Sequence, residues 1–98
     1  MRYNFEWDPH KAHLNYNKHG IRFAEAATVF RDPHALTIFD SEHSGIEERW
    51  ITMGISKTGK LLIVCHTFLE EDRETVSIRI FSSRKSTGKE RQLYGDNQ

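Results

Sequence analysis

The chain has 98 residues, enough for one domain with its own hydrophobic core, and we expect residues 1–98 to form a single domain. Because 14 Lys and Arg balance 14 Asp and Glu, the composition argues against a protein that coats nucleic acid through its net charge. The longest apolar run, residues 61–65, is far shorter than the roughly 20 residues of a membrane-spanning helix, and the first residues show no apolar signal core. We therefore expect a cytoplasmic protein that makes no membrane contact.

The first part of the chain predicts a strand followed by two helices. Aromatic residues alternate with polar ones in residues 2–7, a pattern typical of a half-buried strand. Asp8 and Pro9 suit the start of a helix, and Gly20 suits its left-handed end. A second, alanine-rich helix is predicted at residues 23–30, where apolar side chains recur at helical spacing.

The rest of the chain predicts strands and a short final helix. Four segments have the residue types of strands: residues 35–39, 48–55, 61–68 and 75–81. The last two form the clearest prediction, a β-hairpin joined by the charged loop 69–74. Thr87 and Glu90 have the spacing of a capping box, which predicts a helix at about residues 88–94.

This order of elements predicts an α+β fold. Successive strands with short polar turns favour an antiparallel sheet, and the two helices must cover one face to bury Phe23, Val29 and Phe30. We therefore expect a small antiparallel β-sheet with two N-terminal helices packed on one face and a short C-terminal helix.

On the second strand of the predicted hairpin, residues 75–81, the Arg79 side chain is expected to point away from the core. Val76, Ile78 and Ile80 alternate with Arg79, so a one-residue slip would bury the guanidinium, and the alternation fixes the register. His66 lies near the end of the partner strand. We expect the side chains of Arg79 and His66 to converge on one solvent-reachable hollow.

Cleavage of RNA without a metal uses such groups. Attack of the 2′-hydroxyl on its phosphate needs a base, an acid and cations, which histidine and arginine can supply. Arg84 and Lys85, at the strand end, add cations nearby. Each residue also has an ordinary structural interpretation: Arg79 as an outward charge on a half-exposed strand, and His66 as a strand-end histidine bonded to backbone. The residue types alone leave both interpretations open.

Other charged residues have simpler explanations. Arg49, near the start of a predicted strand, either reaches past the sheet edge or forms an ion pair with a nearby Glu. His10 and His13 have a spacing that can begin a metal site, but no third ligand is evident. No phosphate-cradling glycine loop or dinucleotide fingerprint occurs, and we expect neither a metal nor a cofactor.

Seven segments in series, spanning nearly the whole chain, resemble the BrnT toxin family. They are FEWDP (5–9), KHGIRF (18–23), EAATVF (25–30), DP (32–33), ERWITMG (48–54), LIVCHT (62–67) and IRIFSSRK (78–85), followed by Glu90, Arg91 and Tyr94. The resemblance implies a RelE-like fold and a ribonuclease toxin of a type II toxin–antitoxin system. It also implies binding to a BrnA antitoxin with a ribbon-helix-helix part, in a hetero-oligomer that represses its own operon. Operator DNA would then be reached only through the antitoxin.

The resemblance also carries the candidate catalytic residues, by motif position: His19, Arg49, His66, Arg79 and Arg84. From their chemistry, Arg79 and Arg84 are expected to hold the scissile phosphate of an RNA substrate. His66, with His19 as the other candidate, is expected to move protons.

A function of a different class stays open. The neutral net charge and the acidic loop favour a catalytically inactive RelE-like binding module that serves as antitoxin partner and co-repressor. Growth arrest on expression without the antitoxin distinguishes the two functions, because a pure binding module leaves growth unaffected.

Overall fold

The computed structural model describes residues 1–96, which form a mixed sheet covered by helices. Its strands are β1 (Arg2–Glu6), β2 (Leu36–Phe39), β3 (Trp50–Ile55), β4 (Leu61–His66), β5 (Leu69–Glu70) and β6 (Thr75–Lys85). Its helices are α1 (Pro9–His19), α2 (Phe23–Ala26) and α3 (Gly88–Asp96), and a 3₁₀ helix (Ala27–Arg31) follows α2 directly. No helix within residues 1–96 is long and apolar enough to cross a membrane.

The strand order in the sheet is β1-β6-β4-β3-β2, with β5 beside β6. Every pair is antiparallel except β1 with β6, which run parallel from the pair Arg2 and Thr75 to the pair Glu6 and Arg79. The predicted α+β class is confirmed, but the expectation of a purely antiparallel sheet is wrong. Turn patterns predict the pairing of neighbours in sequence, whereas β1 pairs with a strand from the far end of the chain.

Helix α1 begins and ends as its flanking residues predict. The Asp8 carboxylate accepts a hydrogen bond of 2.8 Å from the backbone N–H of His10. Gly20 has a φ of 70°, and its N–H donates to the carbonyl of Tyr16 at 2.7 Å. One polar residue of α1 is buried: the Asn15 amide donates to the carbonyls of Ile21 and Ser83 at 3.0 and 2.9 Å, and its oxygen accepts from the Ser83 N–H at 3.0 Å. Asn15 therefore ties α1 to β6.

The predicted second helix is only one α-helical turn before it tightens into the 3₁₀ helix. Thr28 lies at this change, and its hydroxyl donates to the carbonyl of Glu25 at 2.6 Å. Such a bond from a β-branched residue competes with the regular α-helical pattern. The segment still buries Phe23 and Val29 against the sheet, as expected.

The sheet has two differently covered faces. Helices α1 and α2 and the 3₁₀ helix pack on the face that we call the helix-covered face, together with these strand residues: Leu62, Val64, Val76, Ile78 and Ile80. The opposite face, which we call the α3 face, carries a smaller cluster of Met53, Leu61 and Ile63, against which Tyr94 of α3 packs. Strand β4 contributes to both clusters, which explains its apolar residues at both parities.

A β-bulge in β6 changes which residues share a face. Cys65 lies opposite Ser82, but His66 lies opposite Ile80, so Phe81 is an extra residue without a partner on β4. After the bulge the alternation is reversed, and Arg84, opposite Ile63, lies on the α3 face. A regular strand would have placed Arg84 on the face opposite to Arg79.

Helix α3 is attached by polar contacts as well as by Tyr94 packing. The capping box is present, with the Glu90 N–H donating to Thr87 Oγ1 at 3.1 Å and the Thr87 N–H donating to Glu90 Oε1 at 2.8 Å. The Tyr94 hydroxyl donates to the Asp32 carboxylate at 2.5 Å, and burial together with this bond raises the pKa of Tyr94 to about 12. The helix continues to Asp96, two residues beyond the prediction.

Other predicted boundaries also move, and β4 ends at His66 instead of residue 68. Strand β3 begins at Trp50, so residues 48–49 belong to the preceding loop rather than to the strand. The short β5 forms within the predicted loop 69–74, where Leu69 pairs with Ser77. Strand β6 runs on to Lys85, four residues beyond the prediction.

Candidate active site

Three cationic side chains surround the aromatic ring of Phe81. The Arg49 guanidinium carbon lies 4.2 Å from the ring centroid, the Arg79 guanidinium carbon 5.2 Å and the Lys11 ammonium 5.5 Å. These distances are within the range of cation–π attraction, which draws each cation towards the ring. The ring therefore acts as a common support for three positive charges.

The three cations come from separate parts of the chain. Lys11 lies in the first turn of α1, and Arg49 lies immediately before β3. Arg79 and Phe81 flank the buried Ile80 on β6, so both point to the α3 face. The site thus forms only when helix, loop and sheet are assembled together.

A cleft of about 330 Å³ opens beside the ring. We call it the Phe81 cleft, and its main lining residues are Asp8, Lys11, Glu47, Arg49, Arg79 and Phe81. The Glu47 carboxylate accepts a hydrogen bond from the Arg79 guanidinium and forms an ion pair with it. Both side chains are about 40% exposed (39% for Arg79 and 43% for Glu47), so water screens this pair and an incoming anion can compete for Arg79.

A larger hollow of about 520 Å³ lies next to the Phe81 cleft and shares Arg79 and Glu47 with it. Besides Glu47, its carboxylates are Glu6, Glu48 and Glu71. Four carboxylates around one guanidinium repel a phosphate diester, so the larger volume is the less suitable of the two for RNA backbone. The smaller Phe81 cleft, with its three cations, is the better candidate.

The groups of the Phe81 cleft match the needs of phosphoryl transfer. Two guanidinium groups offer planar pairs of N–H donors, which suit phosphoryl oxygens, and the ammonium of Lys11 adds a compact third charge. The Glu47 carboxylate is an acceptor that can take a proton. Cations and a base therefore meet in one place.

Comparison with known protein families agrees with this chemistry. The family model described as "Ribonuclease toxin, BrnT, of type II toxin-antitoxin system" matches residues 7–90, which include every lining residue named above for the Phe81 cleft. The chain belongs to the BrnT family. A BrnT-family protein is one half of a type II toxin–antitoxin pair, so an antitoxin partner is implied.

A solved structure has the same fold. The 1.1 Å crystal structure of the Brucella abortus ribonuclease toxin BrnT superposes with a TM-score of 0.62, covering 89% of this chain and 99% of that chain at 17% sequence identity. At this identity the likeness supports the fold alone, and the mixed α+β architecture is that of a BrnT protein. Among curated proteins, none matches this chain in sequence.

His66, one of the site residues expected from the BrnT resemblance, lies on the face of the sheet opposite to Arg79. It lies opposite Ile80 on the helix-covered face, it is 0% exposed, and its ring lies 4.9 Å from that of Phe30. Arg79 precedes Ile80 and points to the α3 face. The expectation that His66 and Arg79 share a solvent-reachable hollow is therefore wrong.

His66 is held as a neutral imidazole inside the core. Its Nδ1 lies 2.7 Å from the carbonyl oxygen of Thr67, which can only accept, so Nδ1 carries the proton and donates. Its Nε2 then accepts from the Thr52 hydroxyl at 2.7 Å, and Thr52 Oγ1 lies 2.8 Å from Thr37 Oγ1. Burial lowers the pKa of His66 from its usual value of 6.5, only partly opposed by the bond to Thr67.

Arg84 lies on the α3 face, as Arg79 does, but its guanidinium forms an ion pair with Glu90. Its guanidinium donates to both oxygens of Glu90 at 2.8 and 2.9 Å, and this contact raises the pKa of Arg84 and lowers that of Glu90 to about 2. It lies five residues beyond Arg79, roughly 15 Å along a strand. His19, in the last turn of α1, lines neither the Phe81 cleft nor the larger hollow.

The structure therefore brings Arg49 and Arg79 together and separates them from His66, Arg84 and His19. It adds Lys11, Glu47 and Phe81, which are not among the site residues expected from the sequence, although the alternation along the strand places Phe81 on the same face as Arg79. Within residues 1–96 no three His, Cys, Asp or Glu side chains are grouped to hold a metal ion. Of the two histidines at metal-like spacing, His13 Nε2 lies 3.2 Å from the Asn17 amide nitrogen.

Proposed function

We propose that this chain is an endoribonuclease toxin that cleaves RNA in the Phe81 cleft, with the cations supplied by side chains rather than by a metal. The observation that carries the proposal is that Lys11, Arg49 and Arg79 surround one ring while Glu47 contacts Arg79. The 2′-hydroxyl attacks the neighbouring phosphorus, and the bond to the 5′-oxygen breaks. The products are a 2′,3′-cyclic phosphate and a free 5′-hydroxyl.

In this scheme the arginines bind the charge that develops on phosphorus. Arg49 and Arg79 donate to the non-bridging oxygens, whose negative charge grows in the transition state, and preorganised donors of this kind contribute strongly to catalysis. Lys11 lies on the α1 side of the ring, where its ammonium stabilises the departing 5′-oxygen and gives it a proton. The positive charge needed for the step is then present in the folded protein.

Glu47 is the proposed general base. In the free protein its carboxylate pairs with Arg79, and a phosphate that binds Arg79 displaces it. The released carboxylate then takes the proton of the 2′-hydroxyl as the oxygen attacks phosphorus. General-base help of this kind is worth about 10²–10⁴-fold in rate.

The geometry supports fewer catalytic residues than the five that the BrnT resemblance implies. Arg49 and Arg79 remain, whereas the buried His66 and the Glu90-bound Arg84 are supported as structural residues. His19 lies outside the lining of both the Phe81 cleft and the larger hollow, which favours leaving it out of the proton transfer.

The test is cleavage of a single-stranded RNA in EDTA by the wild type and by three variants, Arg49→Ala, Arg79→Ala and Glu47→Gln. We expect each variant to lose about 100-fold in kcat/KM, the loss typical of removing one transition-state contact or base. The matched control is Arg73→Ala, which removes an exposed charge from the turn before β6. We expect the control to stay within about twofold of wild type, since a surface phosphate contact adds only modest affinity.

Two results would contradict this proposal. Cleavage by the Arg49 and Arg79 variants at the rate of the Arg73 control would place the chemistry outside the Phe81 cleft. Cleavage that appears only when a divalent ion is added back after EDTA would contradict metal independence.

We further propose a BrnA-type antitoxin with a ribbon-helix-helix part as the partner, in a cytoplasmic hetero-oligomer that represses its own operon. The support is the type II toxin–antitoxin family of the chain. Co-expression with the neighbouring reading frame tests this: the two chains should co-purify, and the complex, but not the toxin alone, should shift operator DNA in a gel. Operator binding by the toxin alone would contradict the arrangement.

A second candidate function is a binding module without catalysis. It is favoured by the carboxylates around Arg79, which lower the affinity of the surface for RNA backbone. Growth on expression without antitoxin separates the two: wild type should arrest growth and Glu47→Gln should not, whereas a pure binding module would leave growth unaffected in both.

A further inference from the structure

The loop formed by residues 40–49 is closed at its base by hydrogen bonds between its two ends. The Asp40 N–H donates to the carbonyl of Arg49 at 2.8 Å. Ser44 Oγ accepts from the Arg49 N–H at 2.9 Å and donates to the carbonyl of Asp40 at 2.7 Å. One hydroxyl therefore links both sides of the loop base.

The first turn of the loop is fixed by a buried carboxylate. Asp40 is only 9% exposed and accepts from the backbone N–H of His43 at 3.3 Å, and its carboxylate lies 2.9 Å from His43 Nδ1. These contacts set the direction in which the chain leaves β2. Ser44, the next residue after His43, is thereby placed over the loop base.

Glu47 and Arg49 both depend on this loop base. Glu47 lies between Ser44 and Arg49, inside the closed loop, and Arg49 is the residue whose backbone the Ser44 hydroxyl binds. The tip residue Ile46 is fully exposed, so apolar packing does not hold the tip in place. The shape of the loop rests on its polar contacts, above all on those of Ser44.

We infer that Ser44 is a positioning residue for RNA cleavage, which fixes Glu47 and Arg49 relative to Arg79. This inference rests on the proposed function of the Phe81 cleft. Ser44 does not line the cleft; it acts through the backbone of Arg49. Displacement of a base or a phosphate ligand by about 1 Å can lower a rate by about 100-fold, so a single hydroxyl at the loop base has a large effect on the reaction.

The first experiment compares three variants with wild type in RNA cleavage. Ser44→Ala removes the hydroxyl, Ser44→Thr keeps it, and Ser41→Ala is a matched control at an exposed position of the same loop. We expect Ser44→Ala to lower kcat about 10-fold or more with KM changed less than threefold, because Lys11 and Arg79 still bind the phosphate while the base is displaced. Ser44→Thr should recover most of the rate, and Ser41→Ala should match wild type.

The second experiment measures amide hydrogen exchange and does not depend on activity. The N–H groups of Asp40 and Arg49 are both bonded at the loop base and should exchange slowly in wild type. In Ser44→Ala the Arg49 amide should exchange at least 10-fold faster, with no such change in Ser41→Ala. If Ser44→Ala fails to fold, the wild-type and Ser44→Thr exchange rates still decide whether the base is closed.

The outcomes separate the two ideas. Wild-type protein that does not cleave RNA contradicts the proposed function, whereas unprotected Arg49 and Asp40 amides contradict the closed loop base on their own. Wild-type cleavage with full kcat in Ser44→Ala, or with Ser44→Thr as slow as Ser44→Ala, overturns the positioning role and leaves the proposed function standing.

Discussion

The Arg49 guanidinium lies 4.2 Å from the centre of the Phe81 ring, at the point where a loop meets a bulged strand. Phe81 is the residue that β6 inserts opposite β4, and Arg49 is the last residue before β3. The contact holds a cation from the loop against a strand of the sheet. It also places that cation beside Arg79, which lies two residues from Phe81.

Replacement of Phe81 should therefore weaken cleavage. Phe81→Leu keeps apolar bulk but removes the ring, and each cation–π contact is worth about 0.5–2 kcal/mol. We expect about a 10-fold loss in kcat/KM, with Phe81→Tyr near wild type, measured on one RNA in EDTA. Equal rates for the Leu and Tyr variants would show that the ring does not position the cations.

Replacement of His66 should affect stability much more than cleavage. His66→Gln loses one of two buried hydrogen bonds and the packing on Phe30, which should cost about 2–4 kcal/mol in the free energy of unfolding. Urea titration measures this loss, and cleavage per folded molecule should stay within about twofold of wild type. A 100-fold loss of activity in fully folded His66→Gln would return His66 to the mechanism.

The same residue predicts a pH dependence of stability. Because burial lowers the pKa of His66 in the folded state, the unfolded chain binds this proton first as the pH falls below about 6.5. The free energy of unfolding should therefore decrease with falling pH below that value, and His66→Gln should remove this part of the decrease. Urea titrations of both proteins between pH 7.5 and 5 measure the difference; parallel curves would contradict it.

Asn15 should be the most important polar residue of α1. Its side chain makes three hydrogen bonds with the backbone of Ile21 and Ser83, and Asn15→Ala would leave these buried groups unpaired at a cost of about 2–4 kcal/mol. Asn17→Ala, at an exposed position of the same helix, is the control and should change stability by less than about 0.5 kcal/mol. Comparable losses in the two variants would contradict the specific role of Asn15.

The ion pair between Arg84 and Glu90 should stabilise the attachment of α3. The hydrogen bonds from Arg84 lower the pKa of Glu90 to about 2, so this contribution is present above about pH 4.5 and is lost as the pH falls towards 2. The Arg84 side chain is 42% exposed, so solvent screening limits the gain to about 1 kcal/mol. In urea titrations Glu90→Gln should cost this amount at pH 7 and clearly less at pH 3, where the unfolded chain already binds the proton, with RNA cleavage unchanged. An equal cost at both pH values would contradict the assignment.

Local sequence signals predict the elements of this fold well. Asp8, Pro9 and Gly20 define α1 because capping depends on residues close in sequence, and the alternation around Arg79 defines its face for the same reason. Thr87 and Glu90 likewise define the start of α3. These contacts are made within a few residues of the chain.

The candidate site was less predictable because it depends on long-range geometry. No glycine or proline marks the bulge at Phe81 in the sequence. The bulge nevertheless reverses the in-and-out alternation of side chains along β6 and so determines on which face of the sheet Arg84 lies. His66 looks like a strand-end histidine, and only the position of the 3₁₀ helix shows that Phe30 covers it. Glu47 lies in a polar loop, and its contact with Arg79 follows from how that loop folds back.

The parallel pairing of β1 with β6 determines at what stage of synthesis the sheet can be completed. Residues 2–6 emerge first from the ribosome, but their partner is made by residues 75–79, close to the end of the chain. Pairing between such distant segments is slow, because a long loop must close before any contact forms. The Phe81 cleft takes residues from both ends of the chain, so a nascent fragment that stops before β6 has no assembled cleft.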